Sequence, residues 1–139
     1  MRPVAAYGLS LVAAELFVRH YVDLMNYASQ TGDSGPLLAA SDAGCVGCKQ
    51  YADIAVRINA SNGGLNGDYR ERVSGVSELV RGSNGRLRGS AAVTVGRYTT
   101  KDSPTAAPVV SKAARYTEQV VLSPSKGNWV TFEIELEER

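Results

Sequence analysis

Cys45-Val46-Gly47-Cys48 is the sharpest chemical signal in the chain, and three chemistries compete for it. A thioredoxin-type redox pair sits after a strand at a βα junction, whereas here the preceding segment reads as a short helix and loop. A zinc site needs about four N, S or O ligands, and the chain offers two cysteines and a single histidine, His20. The remaining reading is a structural disulfide or thiol pair that pins the loop to the helix after it. Closing so small a ring restricts the unfolded chain by only about 2 kcal/mol, enough to limit fraying but not to create a fold. Oxidation would suit an extracytoplasmic compartment. No metal and no cofactor is expected.

Other side chains with chemical potential are sparse. His20 and Asp23 stand one helical turn apart and could form an acid/base pair, yet a helical wheel sets His20 beside the apolar stripe, as a rim residue. Glu118 shares parity with Tyr116 and Val120, so a regular pleat aims its carboxyl inward. There it must pair with a cation such as Arg97 or have its pKa raised. Asn59-Ala60-Ser61 matches a glycosylation sequon, which chance produces often. The glycines at 63–67 and 82–89 lack phosphate-loop spacing and read as turns.

The element that must position these groups is the stretch from Val12 to Asp33. Phe17, Tyr21, Leu24 and Ala28 form one stripe, flanked by Val18, Val22 and Met25, at a period near 3.6. Ser10 is a plausible cap and Gly32 a plausible left-handed terminator, so the helix should end between Ser29 and Thr31. Ser34-Gly35-Pro36 starts a short second helix, with Ser34 as its cap. A third helix follows the cysteines, with Cys48, Tyr51, Ala55 and Ile58 on one face, and Asn62-Gly63-Gly64 stops it.

The period then changes to two. Strands are expected over Tyr69 to Arg81, Leu87 to Thr99, Lys112 to Ser123 and Asn128 to Glu137. Asn84-Gly85 is read as a two-residue hairpin turn that sets Val76 opposite Val93. Lys101 to Pro108, with two prolines, is the longest loop. In the last strand Val130, Phe132, Ile134 and Leu136 are expected inward and Trp129, Thr131, Glu133 and Glu135 outward, with Val120 opposite Phe132 and Tyr116 opposite Leu136. The whole is an α+β domain, three N-terminal helices packed on a strongly curved antiparallel sheet of about four long strands. It divides as 1–9 loose lead-in, 10–64 helical half and 65–139 sheet half.

At 139 residues this is one domain, and 15 basic against 14 acidic side chains leave a net charge of +1. That balance carries no electrostatic footprint for nucleic acid or anionic lipid. Arg81, Arg86 and Arg88 flank a predicted turn and read as a solvated cluster. No run reaches the roughly 18 apolar residues of a membrane helix. MRPVAAYGLSLVAAELF has an arginine and an apolar run, but its apolar residues continue in register into the long helix, so it reads as a domain boundary, with a residual targeting role as the alternative.

The order helix, short helix, helix, bent antiparallel sheet resembles the nuclear-transport-factor-2-like cone fold. More specifically, Phe17-Val18-Arg19, Tyr21, Asn26-Tyr27-Ala28, Thr31-Gly32-Asp33, Cys45 with Cys48, and Gly63-Gly64, followed by the late Trp129, resemble a family of uncharacterised secreted lipoprotein domains from high-GC Gram-positive bacteria. The resemblance implies a cone-shaped domain held outside the membrane by a lipid on an upstream cysteine. It brings no activity. Enzymes of the cone fold, such as ketosteroid isomerase and scytalone dehydratase, take their acids and bases from the cavity, where the candidates here are Tyr21, Arg97, Tyr116 and Glu118. No residue is assigned a catalytic role. The leading expectation is a non-catalytic, extracytoplasmic domain that binds a small molecule or an envelope partner. A cavity-based isomerase or dehydratase comes second. A homodimerisation module using Trp129 and Thr131 as its outer face comes third.

Overall fold

The computed structural model describes residues 2–60 and 64–138. The expected helix stop at Asn62 and Gly63, and the Ser61 of the sequon, lie outside them. Helix α1 runs Leu11–Thr31; Ser10 caps it by accepting the Ala13 amide at 3.0 Å, and Gly32 ends it in the left-handed conformation, φ 77°. Its buried side is Ala13, Ala14, Phe17, Val18, Tyr21, Val22, Met25 and Ala28, the stripe that the spacing predicts with Leu24 moved to its edge. His20 joins that buried side and is not a rim residue. Helix α2 (Gly35–Ala39) follows at once, but Ser34 makes no capping bond through its side chain; Asp33 Oδ1 accepts the Gly35 amide instead. Helix α3 (Val46–Ala60) begins inside the Cys-X-X-Cys motif, one turn earlier than expected.

The sheet half is more broken than four long strands. Strands β2 (Arg72–Val76), β4 (Leu87–Val95), β7 (Ala114–Ser125) and β8 (Asn128–Glu138) form one antiparallel sheet in that order, with β3 (Val80–Arg81) also on β4. Strands β1 (Leu65–Gly67), β5 (Tyr98–Thr100) and β6 (Val109–Ser111) form a second, in the order β1-β5-β6. The expected first strand breaks at Ser77-Glu78-Leu79, where buried Leu79 turns into the core over Gly89. The expected second strand breaks at Gly96-Arg97, where the chain leaves one sheet for the other. Asn84-Gly85 belongs to a three-residue loop: Gly82 N–H donates to the Arg86 carbonyl at 2.8 Å and Gly85 takes φ 79°, the type I turn with a bulge that such loops use.

Two bulges bend the main sheet and set which side chains face the helices. One lies between Val73 and Gly75 opposite β4; the other lies between Val121 and Leu122, where Val121 pairs Glu133 but Leu122 pairs Thr131. Phe132 is the extra residue there. An extra residue shifts the two-residue alternation by one, so Trp129 and Thr131 face inward on the turn side of the bulge and Ile134 on the other. Trp129 is 0% and Thr131 1% exposed. They are therefore not an outer dimer face, and Val120 pairs Ile134, not Phe132. Phe132 lies half-buried with the Arg86 guanidinium 3.8 Å from its ring centre.

Residues 2–9 are docked and not a loose lead-in. A 3-10 turn at Val4–Ala6 buries Ala6, Gly8 N–H donates to Asn128 Oδ1 at 2.8 Å, and Arg2 donates to the Trp129 carbonyl at 3.1 Å. The connection between α2 and α3 is sewn to the β8 edge, with Thr131 N–H donating to the Ala40 carbonyl (3.0 Å) and Asp42 N–H to the Thr131 carbonyl (2.7 Å). The Cys45–Cys48 disulfide, Cα atoms 5.3 Å apart, holds this connection to the first turn of α3.

That first turn lies so close to β8 that a Cβ on Gly47 would run into the Ile134 carbonyl. Alanine would favour the helix by about 1 kcal/mol, but here it must push backbone away from backbone, and overpacking of this kind costs about 1–3 kcal/mol. Gly47→Ala should therefore lower the denaturant midpoint. A raised midpoint would show that α3 does not lie against β8.

Candidate functional site

Where α3 crosses the junction of the two sheets the layers part, leaving a cavity of about 230 Å³. Its walls come from every layer: Ser29 near the end of α1; Tyr51, Ile54, Ala55 and Ile58 on α3; Val95 on β4; Tyr98 and Thr100 on β5; and Tyr116 and Leu136 on β7 and β8. Leu65 and the β1–β2 connection, which carries Tyr69 and Glu71, complete it. The wall is thus aliphatic and tyrosine-rich, with Glu71 its one acidic group among the described residues.

Glu71 is held firmly. Its N–H donates to Asn26 Oδ1 (2.8 Å) and its carbonyl accepts Asn26 Nδ2 (2.9 Å), so one α1 side chain replaces a strand partner for this residue. Tyr51 donates its hydroxyl to Glu71 Oε2 at 2.8 Å. With that proton committed, Ser29 Oγ, 3.1 Å away, is the donor to Tyr51. Burial first, then the nearby Glu71 carboxylate, pushes the Tyr51 phenol well above its usual value. Tyr116 is also raised, by burial and then by Tyr98.

Glu118 is not part of the lining but lies against Glu71, which is. It pairs with Ala91 on β4 and Leu136 on β8 in the inward row of the sheet and is 1% exposed. Its Oε1 is buried without a hydrogen-bond partner. Burial, followed by the hydrogen bond and charge of Glu71, holds the Glu118 carboxyl far above the usual carboxylate range. Two carboxyls in contact cannot both ionise cheaply, which favours a proton on the buried Glu118.

The remaining sequence candidates are placed elsewhere. Tyr21 is buried in the core, its hydroxyl 2.6 Å from Ser41 Oγ, and burial pushes its phenol up to about 12 against the opposing hydrogen bonds from Ser41 and Thr131. Arg97 is exposed in the β4–β5 bend, where its carbonyl accepts the Asp68 amide at 2.9 Å, and it makes no ion pair with Glu118. Burial, reinforced by Arg2, lowers the pKa of His20, and no ion pair joins it to Asp23 among the described residues. Of the four pocket candidates the structure thus brings Tyr116 into the wall and Glu118 just behind it.

Sequence reasoning missed Glu71, Tyr51, Tyr69 and Tyr98 as cavity residues. A signal existed, because Tyr69, Glu71 and Val73 share parity. The straight register set Val76 opposite Val93 and so left these odd-numbered residues out of that row, whereas the bulge after Val73 puts Val73 opposite Val93.

A family model described as a family of unknown function, DUF6318, matches residues 2–135. No curated protein matches the sequence. Among solved structures, the intermembrane space region of the chloroplast protein ARC6 superposes with a TM-score of 0.63 at 20% identity, covering 94% of this chain and 98% of that one. Aln2 from a Streptomyces species gives 0.56 at 17% identity, covering 89% and 91%. A chain named Rd1NTF2_05 gives 0.50 at 15% identity, covering 87% and 96%. At such identities the likeness speaks for the fold alone, which is the nuclear-transport-factor-2-like cone.

Proposed function

We propose that this chain, which belongs to the DUF6318 family of unknown function, is a non-catalytic, extracytoplasmic domain that binds a small, largely apolar molecule in the cavity beside α3. The observation that carries this reading is a tyrosine and aliphatic wall interrupted by one oriented polar group, the Tyr51–Glu71 pair. Ligand sites have that composition: apolar surface for affinity and a few fixed polar atoms for orientation. At about 230 Å³ the cavity is small for the class, so the ligand is no larger than a substituted ring or short branched chain.

A set of small aromatic and branched aliphatic fragments, screened by thermal shift against the parent and against Ile58→Trp, tests the reading. The indole of that variant would occupy the space next to Ile54 and Ala55. Fragments that stabilise the parent and not the variant support a cavity ligand; fragments that stabilise both equally, or neither, count against it.

One observation favours a second reading, an acid–base isomerase or dehydratase. A Glu118 carboxyl that burial and the neighbouring Glu71 keep protonated is the kind of acid that such chemistry uses. Exchange of a bound fragment's acidic C–H for deuterium in D2O would support it, and unchanged fragments would leave the binding reading.

The extracytoplasmic assignment rests on the Cys45–Cys48 disulfide, a bond that persists in oxidising compartments. No helix among the described residues is long and apolar enough to cross a membrane. Protein isolated from its native host under acid quench should show no thiol when denatured and two after reduction. Reduction should lower stability by about 2 kcal/mol. Two free thiols before reduction would remove this support.

A further inference from the structure

The cavity is charged on one side only. Among the described residues its lining contains Glu71 and no lysine, arginine or histidine. Behind Glu71 stands a second carboxyl, Glu118, whose Oε1 is buried with no hydrogen-bond partner. The ion pairs among the described residues are Arg19–Glu15, Arg57–Asp102 and Arg72–Asp68, so neither Glu71 nor the Glu118 behind it has a cationic partner there. Among the described residues the side-chain groups that meet the Glu71 carboxyl, the Tyr51 hydroxyl and the Glu118 carboxyl, carry no positive charge. Glu71 is half-buried, and a carboxylate drawn partly out of water without a cationic partner would gain from a bound cation.

The other walls suit the same guest. Tyr51, Tyr69, Tyr98 and Tyr116 line the cavity from α3, the β1–β2 connection, β5 and β7. Tyrosine faces carry the negative end of the ring quadrupole, and rings set around a carboxylate are the recognised surroundings of alkylammonium groups. An anionic ligand would meet the Glu71 carboxyl and no compensating cation among the described lining residues, while a neutral one would leave Glu71 as it is.

Resting on the small-molecule reading above, we propose that the ligand is an organic cation whose alkylammonium head sits among the four tyrosines against Glu71. The methylated head of choline is small enough for a cavity of about 230 Å³ and serves as the probe.

Titration of choline and of its uncharged isostere 3,3-dimethylbutan-1-ol into the whole chain, followed by NMR, separates charge from shape. The expected result is that choline binds at least about ten-fold more tightly than the alcohol. Glu71→Gln should bring choline down to the level of the alcohol and leave the alcohol unchanged. The comparison on the parent protein needs no variant, so it stands even if Glu71→Gln fails to fold. Equal or tighter binding of the alcohol overturns the cation while leaving a small-molecule site in place. So does an absence of choline binding in a protein that still takes the uncharged fragments. If choline, the alcohol and the fragments all fail to bind, this inference and the reading beneath it fall together.

Discussion

Replacing Trp129 with alanine should destabilise the domain by about 3–5 kcal/mol, the range for deleting a fully buried aromatic side chain, and lower the melting temperature by roughly 10–20 °C. The indole is 0% exposed, belongs to the core cluster shared by α1, β4 and β7, and donates from Nε1 to the Ser10 carbonyl at 3.1 Å. That carbonyl stands at the N-cap of α1, so the ring joins the last hairpin to the start of the long helix. Trp129→Phe should cost less, about 1 kcal/mol of it from the lost hydrogen bond. A tryptophan on an outer face would behave differently, with alanine costing no more than about 0.5 kcal/mol. Urea melts of the three proteins decide between these cases, and a near-neutral alanine variant would mean that the Phe132 bulge is misplaced.

The second large effect is on pH. Glu118 holds its proton more tightly in the folded than in the unfolded chain, because burial and the Glu71 carboxyl disfavour its charge. A carboxyl raised in this way contributes stability that is complete below the ordinary carboxylate range and is lost as pH rises through neutral toward its folded value. The loss runs at up to about 1.4 kcal/mol per pH unit. His20, whose pKa is lowered by burial, acts in the opposite sense: its contribution is present above the usual histidine range and fades as pH falls. Both terms operate in the parent, so the difference from Glu118→Gln is the readout. The amide cannot ionise, and the variant should gain on the parent steadily from pH 5 to 9, overtaking it in the upper part of that window. A constant difference between the two stability curves would mean that Glu118 titrates as an ordinary carboxyl.

Both effects bear on what could be read from the chain before its coordinates. Helix α1 was legible because its signals are local and agree: an apolar stripe through Phe17 and Tyr21, a serine cap, and Gly32 where a positive φ is needed. The order of elements and the inward aim of Glu118 followed from periodicity in the same way. What did not follow was parity across a bulge. Ser74 and Phe132 each add one residue to a strand whose partner lacks it, and nothing in the alternation of β8 marks Phe132 as the extra one. Val130, Phe132, Ile134 and Leu136 form a faultless pattern that the fold divides in two. One shifted residue sent Trp129 and Thr131 to the wrong face; another hid Glu71.

Arg97 failed for a related reason. A continuous strand from Leu87 to Thr99 points it inward beside Val95, but the chain bends at Gly96, where a Cβ would strike the Asp68 side chain, and the guanidinium is carried out to solvent. The cavity owes its existence to that bend, since β5 departs there to form the second sheet and leaves Tyr98 and Val95 on two sides of an open space. The candidate site thus arises where the regular pattern ends.

The chain has seven tyrosines, and four of them, Tyr51, Tyr69, Tyr98 and Tyr116, line the cavity. Tyr7 and Tyr27 are 51% and 43% exposed, and Tyr21 is sealed in the core. Ring-labelled carbon-13 NMR during titration with benzyl alcohol should therefore move the resonances of those four and leave Tyr7, Tyr21 and Tyr27 in place. Saturable shifts confined to the exposed rings, or no saturable shift at any ring, would contradict a ligand cavity beside α3.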